Sequence, residues 1–153
     1  MKDELKFIEP ELYKEIIKNM PISCVDVAIV SNGKVLLVNR KDAPAKNLWW
    51  LPGGRVIKVE TMKMTALRKA KEEVGIECYV GPIVHCSNTD ETIFSDGPFD
   101  IPIHSINSCF LLYPKNPNQI PYLDNHHSDF RWINSIEENL HNYVKTCLKS
   151  AGF

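Results

Sequence analysis

Two adjacent carboxylates, Glu72 and Glu73, stand near the end of a segment that opens on the turn Pro52-Gly53-Gly54. Carboxylates held side by side on a rigid helix suit a hard cation such as Mg2+, which prefers oxygen ligands. Glycine has no Cβ, so the turn lets backbone come close to a ligand or metal. The plain alternative is a solvated glutamate pair balanced by Lys69 and Lys71 on the same helix. Groups able to bind anions or move protons are spread along the chain: Arg40, Arg55 and Arg68, then His104, then His126-His127. An imidazole titrates near neutrality and can act as a general base.

These groups need a frame. Thr61 can cap a helix that ends at Gly75, where a left-handed residue is wanted. Leu67, Ala70 and Val74 share one side of that helix and are predicted to face the core. Before it, Pro10 opens a helix whose apolar stripe runs Leu12, Tyr13, Ile16, Ile17, Met20, packed on a sheet or on a second copy. Residues 23–30 and 34–38 read as strands joined by a hairpin at Asn32-Gly33. Strands are also predicted over 78–85, 103–113 and 130–133, with long loops over 87–100 and 114–127. Loops of that length often act as lids or binding loops. Ser135 with Glu138 forms a capping box that starts a final helix over 135–150.

Composition narrows the function class. A chain of 153 residues with 44% hydrophobic and 24% charged residues is an ordinary single globular domain. Its net charge of −1 gives no reason to expect nucleic acid or a membrane as a partner. The basic group Lys63, Arg68, Lys69 and Lys71 reads as a solvated helix face. Cys24, Cys78, Cys86, Cys109 and Cys147 are scattered, odd in number and never spaced as C-x-x-C. That argues against a disulfide framework or zinc site and for a reducing, cytoplasmic setting. No apolar run reaches the length of a membrane span, and the N-terminus lacks a secretion pattern. His85 and His141 read as structural, and Trp49-Trp50 as one core and one partly exposed indole.

The spacing within residues 51–76 resembles the Nudix box, G-x5-E-x7-R-E-U-x-E-E-x-G-U, where U is apolar. Gly54, Glu60, Arg68, Glu72, Glu73, Gly75 and Ile76 fall on its fixed positions, and Lys69 stands where the box has Glu. The resemblance implies an α/β/α sandwich with a mixed β-sheet between helices. The single domain would span 1–153, with an N-terminal helical extension over 1–21 and the box loop-helix over 51–76. It further implies hydrolysis of a nucleoside diphosphate joined to another group, with Mg2+ (or Mn2+) held by Glu72, Glu73 and the Gly53 carbonyl. Glu60 and Arg68 would then be an ion pair bracing the loop.

Lys69 removes a box carboxylate, so two metals become harder to hold and the base must lie elsewhere. In this the chain resembles the GDP-mannose mannosyl hydrolase branch. The similarity runs through Asp26, Arg40, Pro44, residues 49–56, Asp100, His104 and the run from His127 to Trp132. That branch implies His127 as general base, His126 as a further metal ligand, and Arg40, Arg55 and Arg68 assisting the leaving GDP. Asp26 and His104, with Arg40 and Arg55, would contact the substrate, and the protein would be a homodimer. Water would attack the anomeric carbon, as in an inverting glycosidase. Two positions depart from the branch: Glu72 is retained here, and Ser105 replaces an aromatic beside His104. Ordinary phosphoanhydride cleavage and a non-catalytic nucleotide-binding module therefore stand as alternatives.

Overall fold

Strand β1 (Ile22–Ser31) buries Val25, Val27 and Ile29 on one face and Asp26 and Ala28 on the other. A strand covered on both faces must be central. In the computed structural model, which describes residues 7–153, β1 pairs in parallel with β7 (Ile103–Pro114). It also pairs antiparallel with β2 (Lys34–Arg40) at one end and with β4 (Gly53–Arg55) at the other. Asn32 and Gly33 both take positive φ, 50° and 72°, as the predicted hairpin requires. β3 (Trp49–Trp50) and β8 (His127–Ile133) add to β2, while β5 (Cys78–Cys86) and β6 (Ile93–Phe94) add to β7. The result is a mixed eight-stranded sheet.

Strand alternation feeds two helical layers. On one face Ala66, Ala70 and Val74 of α2 (Met62–Val74) pack against Val25, Val27, Ile29, Leu36 and Val38. On the other, Tyr143, Val144, Cys147 and Leu148 of α3 (Asn142–Ser150) pack against Ala28, Val35, Leu37 and Cys109. α1 (Pro10–Asn19) closes the end of the sheet by burying Ile17 with Ile22 and Ile103. Its stripe is only partly used, since Leu12 and Met20 stay exposed. Residues 1–6 of the expected extension lie outside the described residues.

Four local expectations change. The final helix starts at Asn142, not at 135, and its cap is His141, whose Nδ1 accepts from the Tyr143 amide at 3.2 Å. The reason is that Glu137 pairs with Arg131 at 2.7 Å and Leu140 turns into the core, so the chain has not yet entered a helix there. The strand expected at 130–133 begins three residues earlier, at His127, because that end pairs with β2. Leu67 is exposed, and Ala66 takes its place against the sheet. The loop over 87–100 is partly ordered: a 3-10 turn at Asp90–Thr92 leads into β6, which lies on β7.

Candidate active site

A pocket of about 300 Å³ opens between the Gly53-Gly54 turn, the N-terminal end of β7 and the segments on either side of β2. Its wall brings together Asp26, Arg40, Gly53, Arg55, Glu73, His126 and His127. Three other expected residues lie apart from it. His104 is exposed on the opposite side of β7, because its neighbours Ile103 and Ser105 take the inward positions. Arg68 and Glu72 sit behind the turn on α2, so Arg68 is not placed to touch a leaving group in the pocket.

The box turn and helix are set by local rules. Thr61 Oγ1 accepts from the Met64 amide at 3.2 Å and caps α2, and Gly75 ends it at φ 69°. Gly53 is required by close approach: a Cβ there would overlap Asp26 Oδ1 and the Val25 carbonyl. Gly53→Ala should therefore lower stability by about 1–3 kcal/mol, read as a drop in Tm, since the Val25 carbonyl and Asp26 Cα on that side are backbone and cannot give way. Arg68 grips the loop from beneath. Its guanidinium donates to Glu60 at 2.9 and 3.0 Å, to Glu72 at 3.1 Å and to the Arg55 carbonyl at 3.1 Å. Burial raises the Glu60 carboxyl, but hydrogen bonds from Arg68 and Thr65 outweigh it and hold the group below its ordinary range. Its stabilising contribution is thus present above pH 4.5 and lost as pH falls through the lowered folded value. Lysine cannot reproduce the fork, so Arg68→Lys should cost about 2 kcal/mol in urea unfolding at pH 7.

Across the pocket His127 is 5% exposed. Its Nδ1 lies 2.8 Å from Asp124 Oδ1, and its Nε2 lies 3.7 Å from Glu73 Oε2. An Nδ1–H can donate to the Asp124 carboxylate, and in that tautomer Nε2 carries the ring's free lone pair. Asp124 was not singled out by sequence, although an Asp three residues before a His in a turn is a usable signal. His126 stands at the mouth, exposed, with its Nδ1 2.6 Å from Asp42. Arg40 is steered by Nε donating to the Pro44 carbonyl at 2.8 Å, and Arg55 lies over the Tyr13 ring at 5.9 Å.

Asp26 forms the floor. Its Oδ2 accepts from Asn107 Nδ2 at 2.6 Å and from the Tyr143 hydroxyl at 2.7 Å. Burial pushes its carboxyl up to about 6 despite those hydrogen bonds and Arg40. Tyr143 is held far above its usual value by burial and by Asp26, so it stays a neutral donor. The Cys24 thiol is pushed up to about 12 by burial and by Asp26, which excludes it as a nucleophile.

A sequence model described as the NUDIX domain matches residues 20–146. The chain belongs to the NUDIX family. It is 31% identical over 145 residues to the low-salt glycan biosynthesis protein Agl8 of Haloferax volcanii, covering 92% of this chain and 88% of that one. A shorter match, 41% over 56 residues, joins 37% of this chain to 33% of an ADP-ribose pyrophosphatase of Methanocaldococcus jannaschii. Among solved structures, a MutT NUDIX hydrolase from Burkholderia pseudomallei superposes with a TM-score of 0.70 at 22% identity, over 86% of this chain and 98% of that one. That likeness confirms the mixed sheet between helices.

Nudix hydrolases generally use divalent metals such as Mg2+. In this Nudix domain the expected donors do not fit one as they stand. Both oxygens of Glu73 are engaged, Oε2 by the Gly53 amide at 2.9 Å and Oε1 by the Lys69 ammonium at 2.6 Å. Glu72 Oε2 faces Arg68 at 3.1 Å and Lys69 at 3.9 Å, and His126 is turned to Asp42. Among the described residues no three His, Cys, Asp or Glu side chains converge as a metal site would require. Lys69 is correspondingly not part of a solvated face: its side chain is 17% exposed and lines the pocket.

Proposed function

We propose that this Nudix hydrolase acts on a nucleoside diphosphate sugar, with GDP-mannose or a related GDP-hexose the first substrate to try. Water attacks the anomeric carbon. The observation that carries this reading is the Asp124–His127 pair, whose imidazole lines the pocket, in a chain whose box has Lys69 in place of a carboxylate. Asp124 orients the ring, and His127 Nε2 takes the proton of the attacking water. The anomeric C–O bond breaks and its electron pair leaves with the diphosphate, giving GDP and free sugar. Arg40, Arg55 and Lys69 line the same pocket and neutralise the developing charge. Asp26, with the inward Ser105 and Asn107, offers polar contacts for the sugar or base. Mg2+ or Mn2+ held by Glu72, Glu73, Gly53 and His126 is what the family resemblance implies, and the pairing of these side chains with Lys69, Arg68 and Asp42 does not favour it.

Cleavage of the phosphoanhydride is a second reading. It is favoured by the retained Glu72 and Glu73 and by the local likeness to a protein named ADP-ribose pyrophosphatase. Incubation with GDP-mannose in ¹⁸O-water separates the two. Label in free mannose supports attack at carbon, and label in phosphate establishes attack at phosphorus. No product from any of a panel of nucleotide sugars and nucleoside triphosphates would instead identify a binding module.

A further inference from the structure

We infer that the Lys69 ammonium is the resident cation between the box carboxylates and the glycine turn, taking the place of a divalent ion there. Four observations place it there. Lys69 Nζ lies 2.6 Å from Glu73 Oε1 and 3.9 Å from Glu72 Oε2, so one point charge serves both carboxylates. The other Glu73 oxygen is held by the Gly53 amide, which fixes the carboxylate's orientation toward Nζ. The end of the lysine side chain lies against Gly54, where a Cβ would meet Cε at 2.7 Å and Nζ at 3.1 Å. Finally, Glu73 is 6% and Lys69 17% exposed at their side chains, and both line the pocket.

The electrostatics follow from that placement. An ion pair this sheltered from water is only weakly screened, so it competes with an incoming cation far better than a surface pair would. A divalent ion taken up by Glu73 would share that carboxylate with an ammonium, and the two would repel strongly at low effective dielectric. In the other direction, lysine presents a point charge with three donors, which matches a phosphoryl oxygen without demanding a fixed geometry. Lys69 can therefore keep its bond to Glu73 and turn a remaining N–H to an anion in the pocket. The substrate's diphosphate would be met by Lys69, Arg40 and Arg55 together. The location of the cation is independent of substrate; its use rests on the nucleoside diphosphate reading proposed above.

Binding measurements on the full chain test both parts. Mn2+ is titrated into the substrate-free protein and free ion is followed by its paramagnetic resonance. Wild type should show no site tighter than about 1 mM, whereas Lys69→Glu should bind Mn2+ at least tenfold more tightly. Lys69→Met keeps the aliphatic packing against Gly54 and guards against loss of fold in the glutamate variant. It too should bind Mn2+ more tightly than wild type, though less than Lys69→Glu. Tight Mn2+ binding by wild type that none of these changes alters would overturn the inference. In a second arm, GDP binding is measured by calorimetry in EDTA. Wild type should bind, and Lys69→Met should bind at least tenfold more weakly; equal affinity would remove Lys69 from the anion site. Failure of every variant to bind GDP, with or without Mg2+, would sink the nucleoside diphosphate reading, while the Mn2+ titration still decides where the cation sits.

Discussion

His127→Ala should lower turnover of a nucleoside diphosphate sugar by about 10²–10⁴-fold, with kcat falling and KM changing little. The ring is held by the wall rather than by substrate. Asp124 fixes its Nδ1 at 2.8 Å, and β8 pairs with β2 at His127 and Arg40. Removing the imidazole therefore deletes the proposed base without dismantling the sheet, and a far-ultraviolet spectrum and Tm close to wild type would show it. Asp124→Asn is the sharper companion. An amide in place of the carboxylate can donate to Nδ1, which moves the ring proton to Nε2 and leaves no lone pair facing the pocket. Turnover should again fall by more than tenfold although His127 is still present. An unchanged rate in His127→Ala would place the base elsewhere.

What was legible in the sequence was what local chemistry determines. The α2 cap at Thr61, its left-handed stop at Gly75 and the Glu60–Arg68 brace are all set by residues within about four helical turns, and each forms as expected. The Asn32-Gly33 hairpin is of the same kind. Long-range pairing was less visible. The family resemblance puts His104 against the substrate, yet strand alternation carries Ile103, Ser105 and Asn107 inward and sends His104 out. The period-2 pattern was available, but only the identity of the inward neighbours could choose the face. The start of α3 departs from its capping pattern for a related reason. Ser135 and Glu138 satisfy a capping pattern, but the Arg131–Glu137 pair and the burial of Leu140 bind that stretch to the rest of the fold first. Lys69 is the instructive case: its departure from the box was plain, while its pairing with Glu73 needed the helix and the turn together.

Asp26→Asn should make the protein more stable at neutral pH, and the gain should vanish in acid. The wild-type carboxyl is displaced from 3.8 to about 6 by burial, which outweighs the hydrogen bonds from Asn107 and Tyr143. A folded-state value above the unfolded one means that the folded chain holds the proton longer, so stability declines as pH rises through that interval. The displacement corresponds to about 3 kcal/mol, lost between about pH 4 and pH 6. Asparagine mimics the neutral acid: its carbonyl still accepts from Asn107 and Tyr143, and it has nothing to ionise. In urea unfolding, the difference between variant and wild type should widen by about 2.4 kcal/mol from pH 4 to pH 7. Glu60, which works in the opposite direction with pH, cancels in that difference because both proteins keep it. A gap that stays constant with pH would show that Asp26 does not titrate in this interval. A buried carboxylate that weakens the fold at neutral pH, and that lines the pocket beside Gly53, is retained at a cost in stability. Under the proposed function the same variant should therefore raise KM for the nucleotide sugar while gaining stability, whereas Gly53→Ala should lose stability.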